Sequence, residues 1–204
     1  GADVNVQTKL SQTPINIAAG KANLEIVKLL VDNGANVRSE NMDVSPLHQA
    51  VQREYLENVK YLLEQGADVH AKKKKVLTPL MLATQNGDLE TTKILLEHGA
   101  EVNEVTPMGE SPFFFAVNSG NHELVKLLIE NEAETTVVDS FKTTPLLMAA
   151  GTGDSVMVDI LLPVTEDKNF KNSKNRSAYD VADANEFESV RLKLFPFLPD
   201  SVQE

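Results

Sequence analysis

The sequence predicts an all-α fold, built as a solenoid of stacked helix pairs. A Thr-Pro or Ser-Pro pair recurs at positions 13, 45, 78, 111 and 144, with spacings of 32 and then 33 residues. A further period reaches the Ser-Ala pair at 177. Apolar segments with helical spacing follow in step, as in LEIVKLLVDNGANV and LENVKYLLEQGADV. Self-similarity at such a period is the signature of repeat architectures.

Each period begins with a short first helix. The Thr or Ser of the pair predicts a helix cap, and Pro follows in the first helical turn, where its missing N–H costs nothing. Small residues at one helical phase let neighbouring helices approach closely. They are Ala18, Ala50, Ala83, Ala116, Ala149 and Ala182.

A second helix follows after a polar break, and its apolar residues at i, i+3 and i+4 predict the core. These core residues are Leu24, Val27, Leu30, Leu62, Leu95, Leu128 and Leu161. Gly34, Gly66 and Gly99 are expected to end three of these helices in the left-handed conformation. The remaining residues, such as ADVHAKKKKVL, are expected to form a hairpin-like finger that leads to the next capped residue.

The unit resembles the ankyrin repeat family, whose helix–helix–hairpin repeat carries a T-P-L-H-x-A motif. SPLHQA is similar to that motif, and TPINIA, TPLMLA, SPFFFA, TPLLMA and SAYDVA are variants of it. The resemblance covers essentially the whole chain. It implies one ankyrin-repeat domain over 1–204, with the end of a truncated repeat at 1–7, full repeats at about 8–39, 40–72, 73–105, 106–138 and 139–171, and a capping repeat at 172–204.

The chain departs from the motif at several places. Glu132 replaces the capping glycine, and a left-handed Glu costs about 1 kcal/mol. Thr165, shortly after Pro163, predicts an atypical turn in LLPVTEDKNFKN. A truncated first repeat predicts an exposed apolar edge, unless further repeats precede it. The opening GADVN, without an initiator Met, suggests a segment of a larger chain.

Charge is distributed unevenly along the 204 residues, whose formal net charge is −11. Residues 1–96 are balanced, whereas 97–204 carry 19 acidic and 8 basic residues. An acidic surface repels nucleic acid and favours a basic segment on a protein partner. No apolar run approaches the ~20 residues that span a bilayer, so no direct membrane insertion is predicted. The absence of cysteine favours an intracellular location, cytoplasmic or nuclear.

No catalytic, cofactor-binding or metal-binding pattern stands out, and the sequence predicts a non-enzyme without a cofactor. Neither GxxxxGK[ST] nor GxGxxG occurs, and the four histidines fall at different phases of the repeat. His48 is expected to form a hydrogen bond within its own turn. Phe113 and Phe115 are expected to pack in the core rather than stack on bases, while Phe114 stands at the position of the motif histidine.

The run Lys72–Lys75 lies in the finger before Thr78. Three interpretations remain open for it. The lysines are a solvated fingertip, or a contact to an acidic patch on a protein partner, or a nuclear-import segment or phosphate contact.

The resemblance implies a protein–protein interaction module, which binds a partner protein or peptide on a concave face formed by fingers and first helices. The alternative is a ligand-sensing domain that binds a charged small molecule between fingers. Apolar residues just before each capped residue either form an exposed stripe or pack sideways onto neighbouring fingers. Candidate binding residues in the fingers are Leu10, Met42, Val44, Lys74, Lys75, Leu77, Met108, Glu110 and Phe141; those on the first helices are Lys21, Gln52, Arg53, Gln85, Asn86, Asn118 and Thr152.

Overall fold

A computed structural model describes residues 2–38, 44–74 and 76–198. These residues form twelve α-helices and no β-strand. The first helices are α1 (Pro14–Ala19), α3 (Pro46–Gln52), α5 (Pro79–Asn86), α7 (Pro112–Ser119), α9 (Pro145–Thr152) and α11 (Ala178–Ala184). The second helices are α2 (Leu24–Asp32), α4 (Leu56–Glu64), α6 (Leu89–Glu97), α8 (His122–Glu130), α10 (Ser155–Leu161) and α12 (Glu188–Leu194). Short 3-10 helices lie at Leu162–Val164 and Phe195–Phe197.

The helices group into two compact units, Gly1–Glu101 with α1 to α6 and Val102–Glu204 with α7 to α12. In the first unit, α1, α3 and α5 pack in succession, and each also packs on the second helix that follows it. In the second unit, α7, α9 and α11 do the same. The predicted all-α fold of stacked helix pairs is therefore confirmed within each unit, while the single domain over 1–204 and its repeat boundaries stay predictions.

A side-chain hydroxyl caps the start of every first helix. The caps are Thr13, Ser45, Thr78, Ser111, Thr144 and Ser177, and each hydroxyl accepts the backbone N–H three residues later. Pro follows the cap in α1, α3, α5, α7 and α9. Such a cap stabilises a helix by about 0.5–2 kcal/mol, which matters for helices this short.

The predicted core is largely present. Val27, Leu62, Leu95, Leu128 and Leu161 are buried, whereas Leu24 and Leu30 are only half-buried. All three phenylalanines of α7 are buried, which confirms core packing for Phe113 and Phe115 and places Phe114 there as well.

The helix pair α1–α2 carries an exposed apolar edge. Ile26 is 47% exposed, while Asn58 and Thr91, at the same position of the next two pairs, are 2% and 0% exposed. That position packs on the preceding pair, since the Asn58 amide donates to the carbonyls of Ala19 at 3.1 Å and Lys21 at 2.8 Å. Ile17 and Leu29 of the same helix pair are also exposed.

The predicted left-handed residues after the second helices are also present. Gly34, Gly66 and Gly99 have φ of 86°, 82° and 82°. Glu132 takes the same conformation with φ of 61°, and the N–H of Ala133 then donates to Leu128 O at 2.9 Å. After α10 the chain turns through Leu162–Val164, where the Thr165 hydroxyl donates to Leu161 O at 2.8 Å. The atypical turn expected there is formed.

Replacing Leu95 with Ala tests the assignment of the second-helix core. Leu95 is fully buried in the first unit, so removing its methyl groups should lower the free energy of unfolding by about 2–5 kcal/mol. Leu29→Ala is the matched control, because Leu29 is 61% exposed on another second helix of that unit. Urea unfolding curves measure both, and equal losses would contradict the assignment.

Replacing Thr with Val should change the free energy of unfolding in opposite directions at Thr91 and at Thr92. Both residues are buried, but the Thr91 hydroxyl has no hydrogen-bond partner among the described residues, whereas the Thr92 hydroxyl donates to Asp88 O at 2.7 Å. Thr91→Val should raise the free energy of unfolding by about 1 kcal/mol, and Thr92→Val should lower it by about 1 kcal/mol. Thermal melting measures the signs, and destabilisation by both variants would contradict the prediction.

Candidate functional site: the fingers

One backbone turn recurs in the fingers, the segments that lead into the first helices. In five of them an N–H donates to the carbonyl oxygen four residues later, at 2.7 to 3.2 Å. The donors are Thr8, Lys73, Thr106, Asp139 and Asn172. In the first unit, Lys73 and Leu77 also form an isolated antiparallel bridge. The fingers are therefore hairpin-like turns.

A polar side chain at the start of four of these turns holds the finger in shape. In the middle finger of the second unit, Asp139 Oδ1 accepts the N–H groups of Phe141 at 2.9 Å and Thr143 at 2.7 Å. Thr8, Thr106 and Asn172 accept the corresponding N–H groups in their fingers. Sequence analysis missed these residues, although each lies five positions before a capping Thr or Ser.

The residue two positions after each of these side chains is exposed at the finger tip. We call these the tip residues: Leu10, Met108, Phe141 and Lys174. Met108 is 47% and Phe141 is 60% exposed, so these predicted binding residues do not pack away sideways. Val44 and Leu77 directly precede the caps Ser45 and Thr78 and are not tips. Both are half-buried, and their carbonyls accept hydrogen bonds from Asn16 and His48.

The tips of the second unit form one continuous ridge. Ser140 N–H donates to Met108 O at 2.8 Å, and Ser173 N–H donates to Phe141 O at 3.2 Å. Gly109, with φ of 84°, allows the first two fingers to approach, since a Cβ there would meet Val138 O at 2.7 Å. The three successive tips are therefore Met108, Phe141 and Lys174.

The lysine finger of the first unit is built differently. Lys73 stands where the other fingers have an acceptor side chain, and its ammonium donates instead to Gln52 Oε1 at 2.7 Å. Partial burial, and then the neighbouring charge of Lys74, lower the pKa of Lys73. The positive φ of this turn falls at Lys74, because Val76 is β-branched and disfavours that conformation. Lys72 and Lys74 are exposed, and Lys75 lies outside the described residues.

His48 connects a first helix to this finger. Its ring is buried; Nδ1 accepts from Ser45 N–H at 3.3 Å, and Nε2 lies 3.0 Å from Leu77 O and 3.1 Å from Lys73 N. Because Lys73 N–H already donates to Leu77 O at 2.7 Å, we assign the ring proton to Nε2, which donates to Leu77 O. Burial lowers the pKa of His48 to about 4, against the opposing effect of the Leu77 carbonyl. The expected bond within its own turn is confirmed. Asn16 does the same work in the first pair, where its amide donates to Val44 O at 2.7 Å.

The other predicted binding residues are distributed over both units. In the first unit Lys21, Gln52, Arg53, Gln85 and Asn86 are exposed, and in the second Asn118 and Thr152 are exposed. Glu110 is half-buried and accepts from the Thr106 hydroxyl at 3.1 Å. The structure brings together Met108, Glu110 and Phe141 on adjoining fingers, and Gln52 with the lysine finger. Met42 lies outside the described residues.

Two cavities among the described residues lie away from the predicted binding residues. A groove of about 410 Å³ in the first unit is lined by 54–58 together with Ala22 and Leu24. A cavity of about 140 Å³ in the second unit lies among 135–138, 144–146 and 165–170. None of the predicted binding residues lines either one. The alternative of a charged small molecule bound between fingers stays a prediction.

The described residues contain no candidate for a metal site or for a membrane-spanning helix. No group of three or more His, Cys, Asp or Glu side chains is placed to hold a metal ion in that part of the chain. No helix formed by those residues is long and apolar enough to cross a membrane.

Comparison with known families gives one match. The family model described as "Ankyrin repeats (3 copies)" matches residues 1–73, 70–139 and 113–194. A search among curated proteins gave no match.

His48 predicts a specific loss of stability in acid. Its folded pKa of about 4 lies below the ordinary 6.5, so the unfolded chain binds the proton more readily. The contribution is therefore fully present above about pH 6.5 and decreases by up to about 3 kcal/mol as the pH falls to about 4. His48→Asn keeps a donor, as Asn16 shows, and should remove this part of the slope. Urea unfolding across that pH range measures it, and an unchanged slope would contradict the assignment.

Alanine substitutions at Gly109 and Gly120 separate the cost of the backbone conformation from the cost of disturbing the contact between fingers. Both have positive φ, but a Cβ at Gly120 would meet nothing within 4 Å. Gly120→Ala should therefore cost about 1 kcal/mol from conformation alone. Gly109→Ala should cost about 1–3 kcal/mol more, because its Cβ would overlap Val138 O. Denaturant unfolding measures the difference, and equal costs would show that the two fingers are not held this closely.

Proposed function

The chain belongs to the ankyrin-repeat family, and we propose that it is a protein–protein interaction module that binds a partner protein or peptide on its fingers and first helices. Proteins of this family generally bind other proteins, and the proposed role is non-catalytic and needs no cofactor. The observation that supports this surface most directly is the pair Met108 and Phe141. Both are large, apolar and about half exposed on adjoining fingers.

Exposed apolar side chains next to one another are typical of interaction sites. Phe141 is held by its own backbone N–H, bound to Asp139 at 2.9 Å, and Met108 is held in the same way by Thr106 at 3.2 Å. A backbone already ordered before binding loses little entropy when a partner arrives. The pair therefore has the properties of binding hot spots, each contributing on the order of 2 kcal/mol.

Polar residues around the pair provide the rim of the proposed surface. Asn118 and Thr152 are exposed on the first helices of the second unit, at or near their C-terminal ends, and the half-buried Glu110 supplies negative charge for a basic segment of the partner. In the first unit the corresponding surface consists of Leu10, Lys21, Gln52, Arg53, Lys74, Gln85 and Asn86. Polar contacts at such a rim contribute more to specificity and association rate than to affinity.

Alanine substitutions at the two tips test the proposal. A partner is first captured from cell lysate with the wild-type chain, and its affinity is then measured by calorimetry. Met108→Ala and Phe141→Ala should each weaken binding by about 2 kcal/mol. Val156→Ala and Leu192→Ala are matched controls, because these apolar residues are 50% and 62% exposed on second helices of the same unit.

The controls decide the location of the surface. They should bind like the wild type, and all four variants should keep its melting temperature because the side chains are exposed. Normal binding by both tip variants, with loss at Val156 or Leu192, would place the interface on the second helices and overturn the proposal.

A further inference from the structure

The charge changes sign from finger to finger along the ridge of the second unit. The three fingers occupy equivalent segments, 102–111, 135–144 and 168–177. The first carries two acidic residues and no basic one, the middle carries Asp139 and Lys142, and the last carries four basic residues and no acidic one. Sequence analysis described this half of the chain only as acidic, and missed the basic segment KNFKNSKNR within it.

Three of the four cations in the last finger point to solvent. Lys171, Lys174 and Arg176 are exposed, and no carboxylate among the described residues forms a salt bridge with them. Lys168 differs, since its ammonium donates to Thr165 O at 2.6 Å and lies 5.4 Å from the ring of Phe197. The three exposed cations are therefore available to a partner.

Lys174 continues the line of tips that begins with Met108 and Phe141. Its backbone N–H is bound to Asn172 Oδ1 at 2.9 Å, as that of Phe141 is to Asp139. The last finger is joined to the middle one by the bond from Ser173 N–H to Phe141 O. The ridge thus presents an acidic finger, two apolar tips and a basic finger in order.

We propose that the segment bound by this ridge is an extended peptide with separated charges. Its basic residues lie over 102–111, its apolar side chains contact Met108 and Phe141, and its acidic residues lie over Lys171, Lys174 and Arg176. This inference rests on the proposed function and adds the order of charges in the partner. Charge complementarity supports this order. In the reverse order, the acidic residues of the peptide would lie over the acidic finger 102–111 and its basic residues over the basic finger.

A polypeptide fits this pattern better than a nucleic acid or a membrane surface. The phosphate groups of a nucleic acid or of a membrane surface are all negatively charged. They would be attracted to the last finger and repelled by Glu104 and Glu110. Neither a nucleic acid nor a membrane surface presents basic, apolar and acidic groups in succession along a line.

A phage-displayed library of long random peptides, selected on the whole chain, tests the inference. The enriched peptides should contain a basic and an acidic segment on opposite sides of apolar residues. The strongest binder is then synthesised, both as selected and with Gln in place of its acidic residues. Fluorescence anisotropy measures both peptides on the wild type, on Lys171→Gln/Lys174→Gln, and on the control Lys126→Gln/Arg191→Gln, which removes two cations from second helices of the same unit.

Removing the peptide's acidic residues should weaken binding to the wild type by about three- to tenfold at ~0.15 M salt, and less at ~1 M salt. The same change should have a clearly smaller effect on the Lys171→Gln/Lys174→Gln variant, because two of the three coupled cations are already lost and only Arg176 remains. The control variant should behave as the wild type does. Lys171 and Lys174 are exposed, so their variant should keep the wild-type melting temperature. The control also removes the ion pairs of Lys126 with Glu123 and of Arg191 with Asp183, so its melting temperature should fall slightly.

The remaining outcomes separate this inference from the proposed function. Equal effects of the peptide change on all three proteins would overturn the charge order, while a binder that still needs Met108 and Phe141 would leave the proposed function standing. A binder indifferent to Met108→Ala and Phe141→Ala would overturn both. A selection without any enriched peptide would overturn the extended segment, and the capture experiment with the tip variants would then decide the proposed function by itself.

Discussion

The hydroxyl cap at the start of each first helix is the interaction on which the other features depend. A helix of six to eight residues has few internal hydrogen bonds to offset the entropy of forming its first turn. Thr13, Ser45 and their equivalents determine where that turn begins, and thereby which face carries the small residues such as Ala50 and Ala83. Because the caps recur with one period, successive helices present the same face to one another and can stack.

A second polar residue recurs in the fingers with the same period as the caps. Thr106, Asp139 and Asn172 each lie five positions before a cap and bind two backbone N–H groups of their own turn. Because those N–H groups are bound within the turn, the turn does not depend on the side chain of the tip residue between them. Met108, Phe141 and Lys174 occupy equivalent positions with unlike chemistry. A rigid turn with a variable tip is how one repeated fold can present a specific surface.

Stability and binding make opposite demands on apolar residues in this chain. Inside the units, side chains such as Leu95 and Phe113 are buried, and even Thr91 is enclosed, although its hydroxyl has no partner among the described residues. At the tips of the second unit, apolar side chains remain in water, which contributes nothing to folding. The protein tolerates that exposure because the finger backbone is held by polar groups rather than by packing of the tip side chains.

The sequence by itself determined the all-α repeat, the caps and the candidate tips Met108 and Phe141, because these depend on local spacing. The same is true of the left-handed residues that follow second helices, which are Gly34, Gly66, Gly99 and Glu132. Only the tertiary structure decided which equivalent positions are covered. Ile26 is exposed where Asn58 and Thr91 are buried, Gly109 must lack a Cβ because Val138 O lies against it, and Lys174 joins the line of tips through Ser173. Burial and adjacency depend on the neighbouring pair, which a local pattern does not specify.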